Sequence, residues 1–198
     1  MTAICVFCGS KDGVRPEYAE AAAGLGRLLA EQQIRLVYGG SNVGLMRIIA
    51  DSCMAAGGEV IGVMPQMMVA KEIANRNVSK LHIVGTMHER KAMMADLADA
   101  FIALPGGFGT FDELFEIVTW RQIGLHAKPI GLLNTSGFFE PLLRLADHAA
   151  AEGFVRVPDR ALLLSEPTPE ALLERLANSA IATRTAHAAA NATWGGPK

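Results

Sequence analysis

The chain has 198 residues, 51% of them hydrophobic and only 19% charged, with a formal net charge of −2 at pH 7. That length suits one compact domain with a sizeable core, and so little charge points to apolar surface covered by a second subunit, hence a homodimer. The absence of a basic excess argues against a nucleic-acid polymer as partner, and no run approaches the roughly 20 apolar residues of a membrane helix.

The opening MTAICVFCGS lacks the basic stretch of a secretory signal, so a cytoplasmic, non-membrane protein is expected. Residues 3–8 read as a buried strand ending in the turn Gly9-Ser10. Its Cys5 and Cys8 form a C-x-x-C pair, but a redox pair wants a helix N-terminus to stabilise its thiolate. With Cys53, they read as buried, unreactive thiols. Pro16 is placed to start a helix through EYAEAAAGLGRLLAEQQ. A strand at 34–38 runs into Gly39-Gly40-Ser41 and a helix over 43–56. A strand at 59–64 precedes a loop with Pro65, Glu72 and Asn75. Residues 81–84 form a strand leading to a helix over 86–98, and 100–104 a buried strand. The turn Pro105-Gly106-Gly107-Phe108-Gly109 then opens a helix over 110–122. A strand at 129–133, a helix over 138–151 and a short strand at 161–164 complete the elements. Residues 1–180 form the domain, and the Ala- and Thr-rich remainder from Ile181 is expected to be a mobile tail.

Strands that are apolar throughout, each followed by a helix, indicate an α/β fold. The expected form is a doubly wound, Rossmann-like parallel sheet with helices on both faces. Ligands in such sheets bind beyond the carboxyl ends of the strands, where all three glycine turns fall.

The segment PGGFGTFDE, 105–113, is the most informative. Its glycines let the backbone approach a ligand closely, and the free amides of the following helix suit a phosphate. The spacing is neither G-x-G-x-x-G nor a Walker A loop, and no Lys-Ser/Thr closes it, so a nucleoside monophosphate fits better than a dinucleotide or triphosphate. Thr110 and Glu113 also have the spacing of a helix capping box. A carboxylate there can equally offset positive charge developing on a sugar, and the two roles are compatible. In MHERK, 87–91, Arg90 shares a largely apolar helical stripe with Met87, Met94 and Leu97. If buried it must meet an anion; at the edge of the stripe it snorkels to solvent. His88 reads as a surface or core-edge residue rather than a ligand. No metal-ligand cluster is visible, and no cofactor is expected.

Together these segments, with CVFCGS and ADAFIALPGGFGTFDELFEIVTWRQIGLHAKPIGLLN, resemble the LONELY GUY family of cytokinin-activating phosphoribohydrolases over nearly the whole chain to about residue 180. The resemblance implies hydrolysis of N6-substituted adenosine 5′-monophosphates to free base and ribose 5-phosphate, with AMP also a substrate, by a homodimer whose subunits meet near the sites. It assigns catalysis to Arg90 and Glu113. It assigns substrate contacts to Glu72, Met87, Lys91, Gly106, Gly107, Phe108, Gly109, Thr110, Phe111, Asp112 and Thr119. Two positions depart from the family pattern: Asp112 stands where Glu is usual, and Arg47 where Gly commonly follows Leu-Met. Members are often labelled lysine decarboxylase-like, yet decarboxylation would need pyridoxal phosphate on a lysine, and the best-placed lysine, Lys91, belongs to the nucleotide motif. A non-catalytic nucleotide-binding or carrier protein is the alternative, disfavoured by retention of both Arg90 and Glu113.

Overall fold

The computed structural model describes residues 1–69 and 73–193, with side chains as far as residue 182. Seven strands form one sheet in the order β4-β3-β2-β1-β5-β6-β7, and every adjacent pair is parallel. The strands are β1 (Ala3–Phe7), β2 (Arg35–Tyr38), β3 (Val60–Pro65), β4 (Lys80–Val84), β5 (Ala100–Ala103), β6 (Ile130–Leu133) and β7 (Leu163–Glu166). Chain order reverses between β1 and β5. In an open parallel sheet that switch opens a crevice beyond the carboxyl ends of the two strands, the usual place for a ligand.

Strand side chains alternate between faces, and both faces here are dry. Ile4, Val6, Leu36, Tyr38 and Ile102 pack on one side, under α1 (Pro16–Glu31), α2 (Gly44–Ala55) and α8 (Pro169–Thr193). Ala3, Cys5, Phe7, Val37 and Phe101 pack on the other, under α4 (Met87–Asp96), α5 (Phe108–Gln122) and α6 (Glu140–Ala151). This is why β1 and β5 read as unbroken apolar runs, and β2 does so after Arg35. Phe101 is fully buried and stacks against Phe7 with ring centroids 6.0 Å apart; truncating it to Ala should cost about 3–5 kcal/mol. Two short helices, α3 (Gln66–Val69) and α7 (Val157–Arg160), lie in connections. No helix among the described residues is long and apolar enough to cross a membrane.

The structure corrects two sequence expectations. The capping box is on α4, where Thr86 Oγ1 accepts from the Glu89 amide at 3.1 Å and Glu89 Oε2 accepts from the Gly85 amide at 2.8 Å. Helix α5 instead starts two residues before Thr110, with Gly107 as an N-cap that makes no side-chain bond. Helix α8 runs to Thr193 and buries Leu172, Leu173 and Leu176 against the sheet and α1.

Candidate active site

The site is built where β1 and β5 diverge. Both strands end in tight turns that interlock: the Gly9 amide donates to Pro105 O at 3.0 Å. At Gly106 a Cβ would sit 2.1 Å from Thr110 Oγ1 and 2.9 Å from Gly9 N, so only glycine lets the two turns meet. Thr110 is thereby buried as packing beneath the turn. The first amides of α5 face a cavity of about 280 Å³ without a side chain capping them. That volume lies near the lower end of small-ligand pockets, roughly 300 Å³ upward.

Beneath this entrance lies a buried ion pair. Arg90 comes from the first turns of α4, a helix started firmly by its capping box, and Glu113 from the second turn of α5; each is 8% exposed. Arg90 Nη1 donates to Glu113 Oε1 at 2.7 Å, and Arg90 Nε donates to Val63 O at the end of β3 at 3.0 Å. The guanidinium is thus fixed by two elements and meets its anion, as a buried cation must. Burial pushes the Glu113 carboxyl above the usual carboxylate range, while the charge and hydrogen bond of Arg90 oppose the rise.

A second ionic clamp lies at the edge of the cavity, which Asp112 lines and Lys91 does not. Lys91 Nζ reaches Asp112 Oδ2 at 3.2 Å and Glu116 Oε1 at 3.0 Å, tying α4 to α5. Burial works against its charge, but the hydrogen bonds to Glu116 and Asp112 outweigh that and hold the ammonium above its ordinary range.

Of the residues singled out in the sequence, the cavity brings together Met87, Arg90, Gly107, Phe108, Gly109, Thr110, Asp112 and Glu113. Others lie elsewhere. Phe111 stacks on Phe138 at 6.4 Å, Lys91 occupies its clamp, and Gly106 underlies the turn. Thr119 lines a different groove and donates to Phe115 O at 2.7 Å. Glu72 lies outside the described residues. Sequence reading missed Cys8, Ser10, Met46 and Met68, which also line the cavity. For Ser10 the signal was its place directly after the first glycine turn. The methionines carry no motif, and only the fold gathers them. Burial keeps Cys5 and Cys8 protonated by raising both thiols, and lifts Cys53 to about 11.

A larger cavity, about 450 Å³, opens at the opposite, amino end of the strands, but its charged side chains are already engaged. Asp99 accepts from Thr2 and Ala3, and Lys128 Nζ donates to Ala95 O at 2.7 Å.

Comparison with known proteins shows the family of the chain. A family model described as possible lysine decarboxylase matches residues 46–176, the stretch that holds both Arg90 and Glu113. A probable cytokinin riboside 5′-monophosphate phosphoribohydrolase of Oryza sativa subsp. japonica is 50% identical over 173 residues, covering 87% of this chain and 78% of that protein. A cytokinin riboside 5′-monophosphate phosphoribohydrolase of Arabidopsis thaliana is 47% identical over 173 residues, covering 87% and 80%. The chain belongs to the cytokinin riboside 5′-monophosphate phosphoribohydrolase family. Among solved structures, a molybdenum cofactor binding protein from Rippkaea orientalis is similar with a TM-score of 0.67 and 23% identity, covering 89% of this chain and 95% of that one. The molybdenum cofactor carrier protein of Chlamydomonas reinhardtii gives a TM-score of 0.66 and 19% identity, covering 91% and 98%. Likeness at that identity extends to the fold alone.

The two positions at which the sequence was expected to depart from the family pattern fall in different places. Arg47 pairs with Asp51 at 3.5 Å on an exposed face of α2, outside the cavity lining. Asp112 lines the cavity with an exposed side chain held by Lys91. Its shorter arm, rather than Arg47, is the difference that touches the site.

Proposed function

We propose that this protein hydrolyses the N-glycosidic bond of adenosine 5′-monophosphates, N6-substituted ones included, to the free base (a cytokinin where the base is N6-substituted) and ribose 5-phosphate. The observation that carries this reading is the buried Arg90–Glu113 pair lining the same cavity as the uncapped N-terminus of α5. A phosphate received by the Phe108, Gly109 and Thr110 amides would bring the attached ribose over Glu113. As the C1′–N bond breaks, positive charge builds on the ribose, and the Glu113 carboxylate is placed to offset it and to orient a water molecule. Water oxygen bonds to C1′, the departing nitrogen takes up a proton, and one water is consumed in all. Arg90 favours the ionised form of Glu113 against the effect of burial, aims the carboxylate, and orients the nucleotide on its base side.

The test is incubation with N6-isopentenyl-AMP and with AMP in phosphate-free buffer, followed by chromatography. Equal amounts of free base and ribose 5-phosphate are expected. Base released only when inorganic phosphate is added, or no base at all, would overturn the reading.

A homodimer belongs to the same proposal. Phe115 and Leu145 are 46% and 62% exposed in a groove of about 310 Å³ between α5, α6 and the β7 edge, with Phe154 and Val157 bare beside it. Apolar surface of this kind favours a partner, and a second copy is the occupant the low overall charge suggests. Thr119 faces that groove, so a substrate contact through it would be made to the other subunit's nucleotide. Light scattering at micromolar concentration should give twice the chain mass; a monomer would count against it. A cytoplasmic setting fits the three free, buried thiols.

A further inference from the structure

Gly39 follows β2 directly and lies under the Arg90 guanidinium. A Cβ there would be 1.9 Å from Arg90 Nη2, 3.1 Å from its Cζ and 3.2 Å from Met46 Sδ. The next residue, Gly40, has φ +76 and so supplies the left-handed conformation of the turn; Gly39 has no positive φ. Glycine at 39 is therefore required for space and not for backbone conformation. The guanidinium has nowhere to retreat without loss, because its Nε is held by Val63 O and its Nη1 by Glu113 Oε1. Its third nitrogen occupies the volume that a side chain at 39 would fill.

We propose that Gly39 is a positioning residue for the reaction: its missing side chain forms the seat that holds Arg90 against Glu113. The proposal rests on the reading of Arg90 as part of the reactive pair. An alanine at 39 is tolerated by the backbone and collides with the end of a flexible side chain, so the chain can fold by expelling the guanidinium. Expulsion breaks the contacts to Glu113 and Val63 together, and a displacement of about 1 Å in a catalytic group can cost roughly 100-fold in rate.

A double-variant cycle tests this. Gly39→Ala alone should lower kcat by roughly 10- to 100-fold and, by removing Arg90's influence from Glu113, move the acid limb of the kcat profile to higher pH. In an Arg90→Ala background, adding Gly39→Ala should change kcat less than about twofold, since the clash is gone. Melting temperatures give a readout independent of activity. Gly39→Ala should lower that of the wild type by several degrees and leave that of Arg90→Ala unchanged. Should Gly39→Ala fail to fold, the double variant should be soluble and folded. Gly39→Ala with wild-type kcat and pH profile, losses that add in the double variant, or a double variant no better folded than Gly39→Ala would each overturn the proposal. A wild type without hydrolase activity would remove the function while the melting cycle still judged the seat.

Discussion

Replacing Glu113 by Gln separates charge from shape at the centre of the site. The amide keeps the volume and a carbonyl oxygen able to accept from Arg90 Nη1, the contact now made at 2.7 Å. What disappears is a negative charge beside the ribose. Two unit charges about 4 Å apart at an effective dielectric of about 20 interact by about 4 kcal/mol. Taking Arg90 to offset about one third of that field leaves about 2.7 kcal/mol for the developing positive charge, which is about 100-fold in rate. Because the charge arises only as the bond breaks, the loss should fall on kcat, with KM little changed. Helix capping does not enter, since α5 begins at Phe108 with Gly107 as its N-cap. Initial rates of base release alongside a thermal melt make the assay. A folded Glu113→Gln enzyme with kcat within about threefold of wild type would refute the reasoning.

Three other outcomes are expected. Arg90→Ala should lower kcat at least as far as Glu113→Gln and also raise KM, because it leaves Glu113 buried without its partner; steady-state kinetics check both. Gly107→Val should leave the melting temperature nearly unchanged, because a Cβ at 107 meets nothing within 4 Å. The same change should abolish AMP binding in calorimetry by filling the phosphate's approach. Lys91→Met should shift the acid limb of kcat upward: burial raises the Glu113 carboxyl and Lys91 is among the charges that lower it. Without Lys91 the carboxyl protonates at higher pH, so activity falls earlier on acidification; an unmoved or lowered limb would contradict this.

The sheet was legible because its strands are buried on both faces. A run such as AFIA of β5 or AICVF of β1 has no solvent side, so it appears as continuous apolar sequence bounded by glycine turns. Those turns in turn located the ligand end. The beginning of α5 was harder, because TFDE and TMHE present the same spacing of hydroxyl and carboxylate. Burial decides between them: Glu113 is drawn inward to Arg90, while Glu89 stays at the surface and bonds the Gly85 amide. The proximity of Arg90 to Glu113 was not derivable from spacing. They lie 23 residues apart and meet only because α4 and α5 cover the same face of the sheet. Helix α8 escaped because its Ala- and Thr-rich second half carries little apolar periodicity, although Leu172, Leu173 and Leu176 anchor its start. The space kept open at Gly39 is likewise a property of packing, invisible in a string where Gly-Gly reads as ordinary turn punctuation.

The proposed reaction joins two elements: α5 amides to receive a phosphate and a buried carboxylate–guanidinium pair to cleave the bond beside it. Parallel kinetics on N6-isopentenyl-AMP and on the same nucleoside without its phosphate test that union most directly. Free base should appear from the nucleotide, and kcat/KM for the nucleoside should be lower by about 1,000-fold or more, as expected when binding energy from a remote group is used in the transition state. Equal cleavage of the two, or no free base from the nucleotide, would contradict the account.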